Sequence, residues 1–201
     1  METALRYFPC EVPAGRSGPW VIERVAIPDR AYDPGRDPRP DAFKFRPGVY
    51  TSLRRDSVQF MTDLYDEWWT QRVAVVEALS RGGEILITGL GLGVVAEAIL
   101  RVPDSAVEKV TIVEQSADVI RLVQPWLQAR HAERLEVIEA DALSWQQPEG
   151  RRLTVVWHDI WPDPYMPQVE ADIARLEARY QTCCDWQGYW PREYHRALAG
   201  G

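Results

Sequence analysis

With 201 residues, the chain has the length of one domain, or of one domain with a modest extension. Its 23 Lys+Arg stand against 30 Asp+Glu, a formal net charge of −7 with a pI near 5.1, so its summed field repels phosphate backbones and speaks against nucleic-acid binding. A hydrophobic share of 46% with 26% charged residues excludes a disordered chain, and three cysteines (Cys183 and Cys184 adjacent, Cys10 remote) exclude a disulfide scaffold and show no metal-ligand spacing.

No apolar run nears the ~20 residues of a membrane span, and residues 1–6 lack the basic-then-apolar pattern of a leader. A reducing, cytoplasmic setting is the expectation. The segment from Val21 to Ile27 is a candidate strand. Prolines 28, 34, 38 and 40 then predict an extended loop over residues 29–41, because proline suits neither a helix interior nor a central strand. Residues 48–53 and 58–61 flank the polar group Arg54-Arg55-Asp56-Ser57, the pattern of a β-hairpin. Residues 63–80 read as an amphipathic helix with Asp63 as its N-cap and Gly82-Gly83 as its stop.

From Glu84 onward short apolar strands alternate with helices. Strands are predicted at 85–88, 110–113, 135–138 and 153–157, with a short fifth at 186–190; helices are predicted at 94–101, 117–128 and about 168–180. This rhythm means βαβ units, an α/β class and a mostly parallel sheet. The boundary falls near residue 62, with a small N-terminal β-hairpin region over 1–62 and the α/β domain over 63–201.

The first parallel strand runs into Gly89-Leu90-Gly91-Leu92-Gly93, which opens a helix. Glycines there let a ligand approach the backbone, and the free N–H groups of a helix N-terminus suit an anionic or polar ligand. The dinucleotide pattern G-x-G-x-x-G wants a glycine where Val94 stands. Glu114 closes the second strand, at the ~20-residue distance where an acid accepts the ribose hydroxyls of a nucleoside. Asp141 and Asp159 follow later strands. Acids at successive carboxyl ends are expected to converge on one cleft with the glycine turn.

On these motifs the stretch from about Tyr50 to Pro164 resembles class I S-adenosylmethionine (SAM)-dependent methyltransferases, and in particular their spermidine synthase-like branch. The resemblance implies a Rossmann-like methyltransferase fold, shortened at its C-terminus, with SAM or its decarboxylated form as cofactor. It implies that Gly89, Gly91, Gly93, Glu114, Gln115, Asp141, Ala142 and Gln59 bind the cofactor. By the same resemblance Asp159 is the base or orienting acid, and Gln59 and Tyr65 face the donor or the acceptor; the loop after the fourth strand adds Trp161 and Tyr165 as aromatic candidates, and Asp163 and Tyr165 as candidates for contact with a small-molecule acceptor. Trp157 is either core or part of an aromatic wall, and alternation turns His158 away from Asp159 to a structural place.

The sequence also departs from the family. Leu92 stands where spermidine synthases carry an acid in the glycine loop, and Ile87 where typical methyltransferases carry one. The donor's amino group is left to backbone carbonyls such as that of Gly89, or to a side chain from elsewhere. The expected function is small-molecule methyl transfer. Aminopropyl transfer, a nicotinamide-dependent oxidoreductase and a non-catalytic nucleoside-binding scaffold are the alternatives. No metal, nucleic acid or membrane is expected, and a homodimer is left open.

Overall fold

The computed structural model describes residues 6–28 and 47–199. The proline-rich segment 29–41 lies outside the described residues. Two sheets are formed. β1 (Gly15–Ser17), β2 (Trp20–Ile27), β3 (Gly48–Arg55) and β4 (Val58–Thr62) make an antiparallel sheet in sequential order, with the predicted hairpin as β3 and β4. The second sheet is parallel, in the order β7 (Leu135–Glu139), β6 (Val107–Glu114), β5 (Gly83–Thr88), β8 (Leu153–His158), β9 (Cys184–Tyr189). The helices are α1 (Tyr65–Arg81), α2 (Val94–Leu100), α3 (Ala117–His131), α4 (Val169–Tyr180) and α5 (Trp190–Ala199).

The parallel strands are apolar on both faces because helices cover both. Ile85 and Ile87 of β5 join a core with α1, α2 and α3, while Leu86 turns to the other face and packs in the core that α4 closes. From β5 the chain runs outward through β6 and β7, then returns to β8 on the opposite side. The strand order therefore reverses at β5, and the crevice outside the carboxyl ends of β5 and β8 is the topological switch point of the sheet, the usual ligand position in such folds.

Three elements differ from the sequence-based expectation. Asp63 does not cap α1: the helix starts after extended Leu64 with no side-chain cap. The Asp63 carboxylate is instead buried between the first described segment and β3, accepting from Cys10 N–H at 2.7 Å and Thr51 N–H at 2.6 Å. The fifth strand starts earlier than expected, at Cys184, and stops at Tyr189. Trp190 opens α5, with Pro191 in the first turn, where a missing N–H does no harm. No described helix is long and apolar enough to cross a membrane.

Because Asp63 satisfies two N–H groups from a buried position, Asp63→Ala leaves both unpaired. Urea denaturation is expected to show a loss of about 3 kcal/mol, on the order of the penalty for orphaned buried donors.

Candidate nucleoside and acceptor site

The glycine turn is forced to be glycine by its neighbours. Gly89, Gly91 and Gly93 all take positive φ, at 93°, 50° and 72°. A Cβ on Gly89 would collide with the carbonyl oxygen of Asp159, and one on Gly91 would lie 2.5 Å from Met61 Sδ. Those contacts show how tightly the turn is enclosed. Gly89 N–H donates to Val113 O at 2.8 Å and Asp159 N–H to Thr88 O at 2.9 Å, so the first residues after β5 and β8 are held side by side.

Glu114 ends β6 half-buried beside this turn. It accepts from Leu90 N–H at 2.9 Å on one oxygen and from Ser116 N–H at 2.8 Å on the other. Burial raises its carboxyl above the usual range, and the backbone hydrogen bonds pull in the other direction. The Gln115 backbone also bears on the carboxylate, whose roughly four lone-pair sites exceed these three backbone donors.

Asp159 is held from α1. Trp157 Nε1–H donates to Gln71 Oε1 at 2.8 Å, and Gln71 Nε2–H donates to Asp159 Oδ2 at 2.7 Å. Trp157, fully buried and stacked on Trp186, thereby fixes which way the Gln71 amide points. Burial pushes the Asp159 carboxyl up to about 7; the Gln71 hydrogen bond opposes this, and the negative charge of Glu114 adds to it. Asp159 lines a cavity with Gly91, Met61, Glu67, Phe60 and Trp161. Glu67 and Gln71 were not among the sequence-based candidates. They stand four residues apart and so share one face of α1.

The remaining candidates divide. Trp161 is buried against the cavity, with its indole N–H turned to Asp172 Oδ2 at 3.1 Å. Asp163 lies in the adjoining pocket with Asp66, Glu67, Trp190 and Tyr194, and accepts from Tyr165 N–H. Tyr165 is 65% exposed and packs on Tyr194 and His195 of α5. Asp141 does not join the cleft. It follows β7 at the edge of the sheet, exposed, and its carboxylate accepts from Leu143 N–H in a local turn, with Ala142 buried behind it. Gln59 is exposed on β4, and it is the next two residues, Phe60 and Met61, that reach the cavity. Tyr65 packs between Tyr7 and Trp69 rather than in the cavity wall, and Gln115 is exposed. His158 is wholly buried between Tyr180 and Tyr189, and burial drives its imidazole down to about 3, which leaves it neutral and structural. Trp157 is a core residue rather than an exposed aromatic wall.

No family model matches the sequence, and no curated protein matches it. Among solved structures, a spermidine synthase in complex with the transition-state analogue AdoDATO aligns over 94% of this chain and 64% of its own, at 16% identity and a TM-score of 0.53. The spermidine synthase from Thermotoga maritima aligns over 94% and 63%, at 18% identity and a TM-score of 0.51. The CcbJ methyltransferase from Streptomyces caelestis aligns over 57% and 44%, at 17% identity and a TM-score of 0.45. Coverage of 94% takes in both sheets, so the chain shares with these two structures a Rossmann-like α/β fold preceded by an antiparallel sheet. The chain spans less than two thirds of the length of these structures.

Gln71→Leu removes the acceptor of a buried indole N–H and the donor to Asp159 together. The expected outcome is a loss of about 1–3 kcal/mol in urea denaturation, the penalty for an unsatisfied buried polar group.

Proposed function

We propose that the chain binds an S-adenosyl sulfonium nucleoside at the Gly89–Gly93 turn and transfers its methyl or aminopropyl group to a small amine held at Asp159. The observation that carries this reading is the convergence, at the switch point of the sheet, of a positive-φ glycine turn, the half-buried acid Glu114 and the tethered acid Asp159. The residues present fit such a nucleoside. Glu114 keeps a lone pair for a ribose hydroxyl beyond its backbone donors, and Gly91 and Asp159 line one cavity.

When bound, such a nucleoside supplies a carbon already activated by sulfonium, so the transfer is a direct displacement in which the carbon–sulfur bond breaks as the carbon–nitrogen bond forms. The chain's own residues align and desolvate. Asp159 accepts the proton that the amine gives up, and a carboxyl raised to about 7 by burial is a stronger base than an exposed one. Gln71 holds one oxygen of Asp159, which leaves the other for the amine. Trp161, Phe60 and Trp20 give the cavity aromatic walls, and Asp163 with Asp66 makes the adjoining pocket acidic. Both features suit a cationic amine. The fold shared with two spermidine synthases along nearly the whole chain keeps aminopropyl transfer as the second reading beside methyl transfer. The mass gained by the acceptor separates the two.

Asp159→Asn keeps an acceptor for Gln71 but loses the base. The expected outcome is nucleoside affinity within about threefold of the parent, with turnover lower by about 10²-fold or more, in the usual range for a lost general base. In the parent, turnover should rise with pH and level off above about 7, as Asp159 becomes ionised. The stability effect has the opposite sense. A carboxyl whose folded value lies above its unfolded value binds more protons when folded, so stability present in acid declines as pH rises from about 4 through 7. Melting temperatures of Asp159→Asn should therefore fall less steeply over that window. A turnover profile flat from pH 5 to 9 would exclude Asp159 as the base.

A further inference from the structure

A sulfonium donor of this kind carries, besides adenosine, an arm that ends in or bears an ammonium group. The glycine turn offers that group no charge. Ile87, Leu90, Leu92 and Val94 are 3%, 5%, 0% and 4% exposed, all committed to the core. The Leu92 peptide is itself engaged, its N–H by Met61 Sδ at 3.2 Å and its carbonyl by the Cys10 thiol at 3.6 Å. Among the described residues, the carboxylates lining the cavity at Gly91 are Glu67 and Asp159. In the proposed function the oxygen of Asp159 not held by Gln71 is taken by the acceptor amine.

Glu67 stands in the first turn of α1, one turn before Gln71, and lines both this cavity and the neighbouring pocket. We infer that Glu67 is the residue that selects the donor, its carboxylate taking the ammonium of the donor's arm from across the cavity in place of an acid in the glycine turn. The inference rests on the proposed S-adenosyl site. Burial, with the charges of Asp66 and then Asp159, raises the Glu67 carboxyl well above the usual range, and one backbone hydrogen bond from Thr62 opposes them. Like charges this close are relieved by a cation between them. An ammonium placed there forms a charge-assisted hydrogen bond with Glu67, whereas a nucleoside without that group gains nothing from it.

The test is calorimetric titration of the full chain and its Glu67→Gln and Glu67→Asp variants with S-adenosylmethionine, its decarboxylated form and methylthioadenosine, which has no ammonium. The parent is expected to prefer one or both ammonium-bearing nucleosides. Glu67→Gln should lose about tenfold or more on the preferred one, the scale of a charge-assisted hydrogen bond, with methylthioadenosine affinity within about twofold. That unchanged arm also shows the variant to be folded. Glu67→Asp, which keeps the charge but withdraws it by one methylene, should recover part of the preference. Equal loss on all three nucleosides, or loss on none, overturns the role of Glu67 and leaves the nucleoside site standing. A parent that binds none of the three overturns the proposed function and this inference with it.

Discussion

The crowding of Gly89 against the Asp159 carbonyl is the constraint on which the site depends. β5 and β8 are adjacent, parallel and in register up to Thr88 and His158, so their next residues emerge side by side. Only a residue without a side chain lets the two chains leave the sheet this close together. That proximity sets the glycine turn and Asp159, the proposed nucleoside and acceptor positions, in one crevice. It also brings Asp159 within electrostatic reach of Glu114, two strands away across β5. A bulkier residue at 89 would separate the two halves of the proposed reaction.

The crevice is completed by parts outside the parallel sheet. The antiparallel sheet sends Met61 onto Gly91 and the Leu92 peptide, while Cys10 closes on the same peptide from the preceding segment. Asp63 ties that segment to β3, and α1 follows at once with Glu67 and Gln71. On the far side α5 contributes Trp190, whose indole N–H donates to Thr70 Oγ1 of α1, and Tyr194. The small sheet, α1 and α5 thus supply much of the acid and aromatic lining of the two pockets, and the parallel sheet supplies the glycine turn and Glu114.

This division explains what the sequence revealed. Strand–turn–helix rhythm and glycine spacing are local signals, so the parallel sheet, the turn, Glu114 and Asp159 were legible from residue order alone. Asp141 lies away from the cavity at Gly91 because being at a strand end does not say how far that strand stands from the switch point; β7 is at the edge. Glu67 and Gln71 were missed because nothing in the pattern of α1 says which polar face lies over β8. The i, i+4 pairing of an acid and an amide was the available hint. β1, at three residues, is too short for any periodicity, and α5 was masked by a run of aromatics, although Pro191 and the Glu193–Arg196 pair are helix signals. Asp63 looked like a cap because caps and buried strand ties use the same residue type.

The proposed adenosine lies against the glycine turn with its ribose on Glu114, and equilibrium titration of methylthioadenosine against the parent and a Glu114→Ala variant tests this most directly. Binding by the parent with weak or no response to NAD, and a loss of about tenfold or more on removal of the carboxylate, is the predicted result. Undiminished affinity without Glu114, or a preference for NAD, would contradict it.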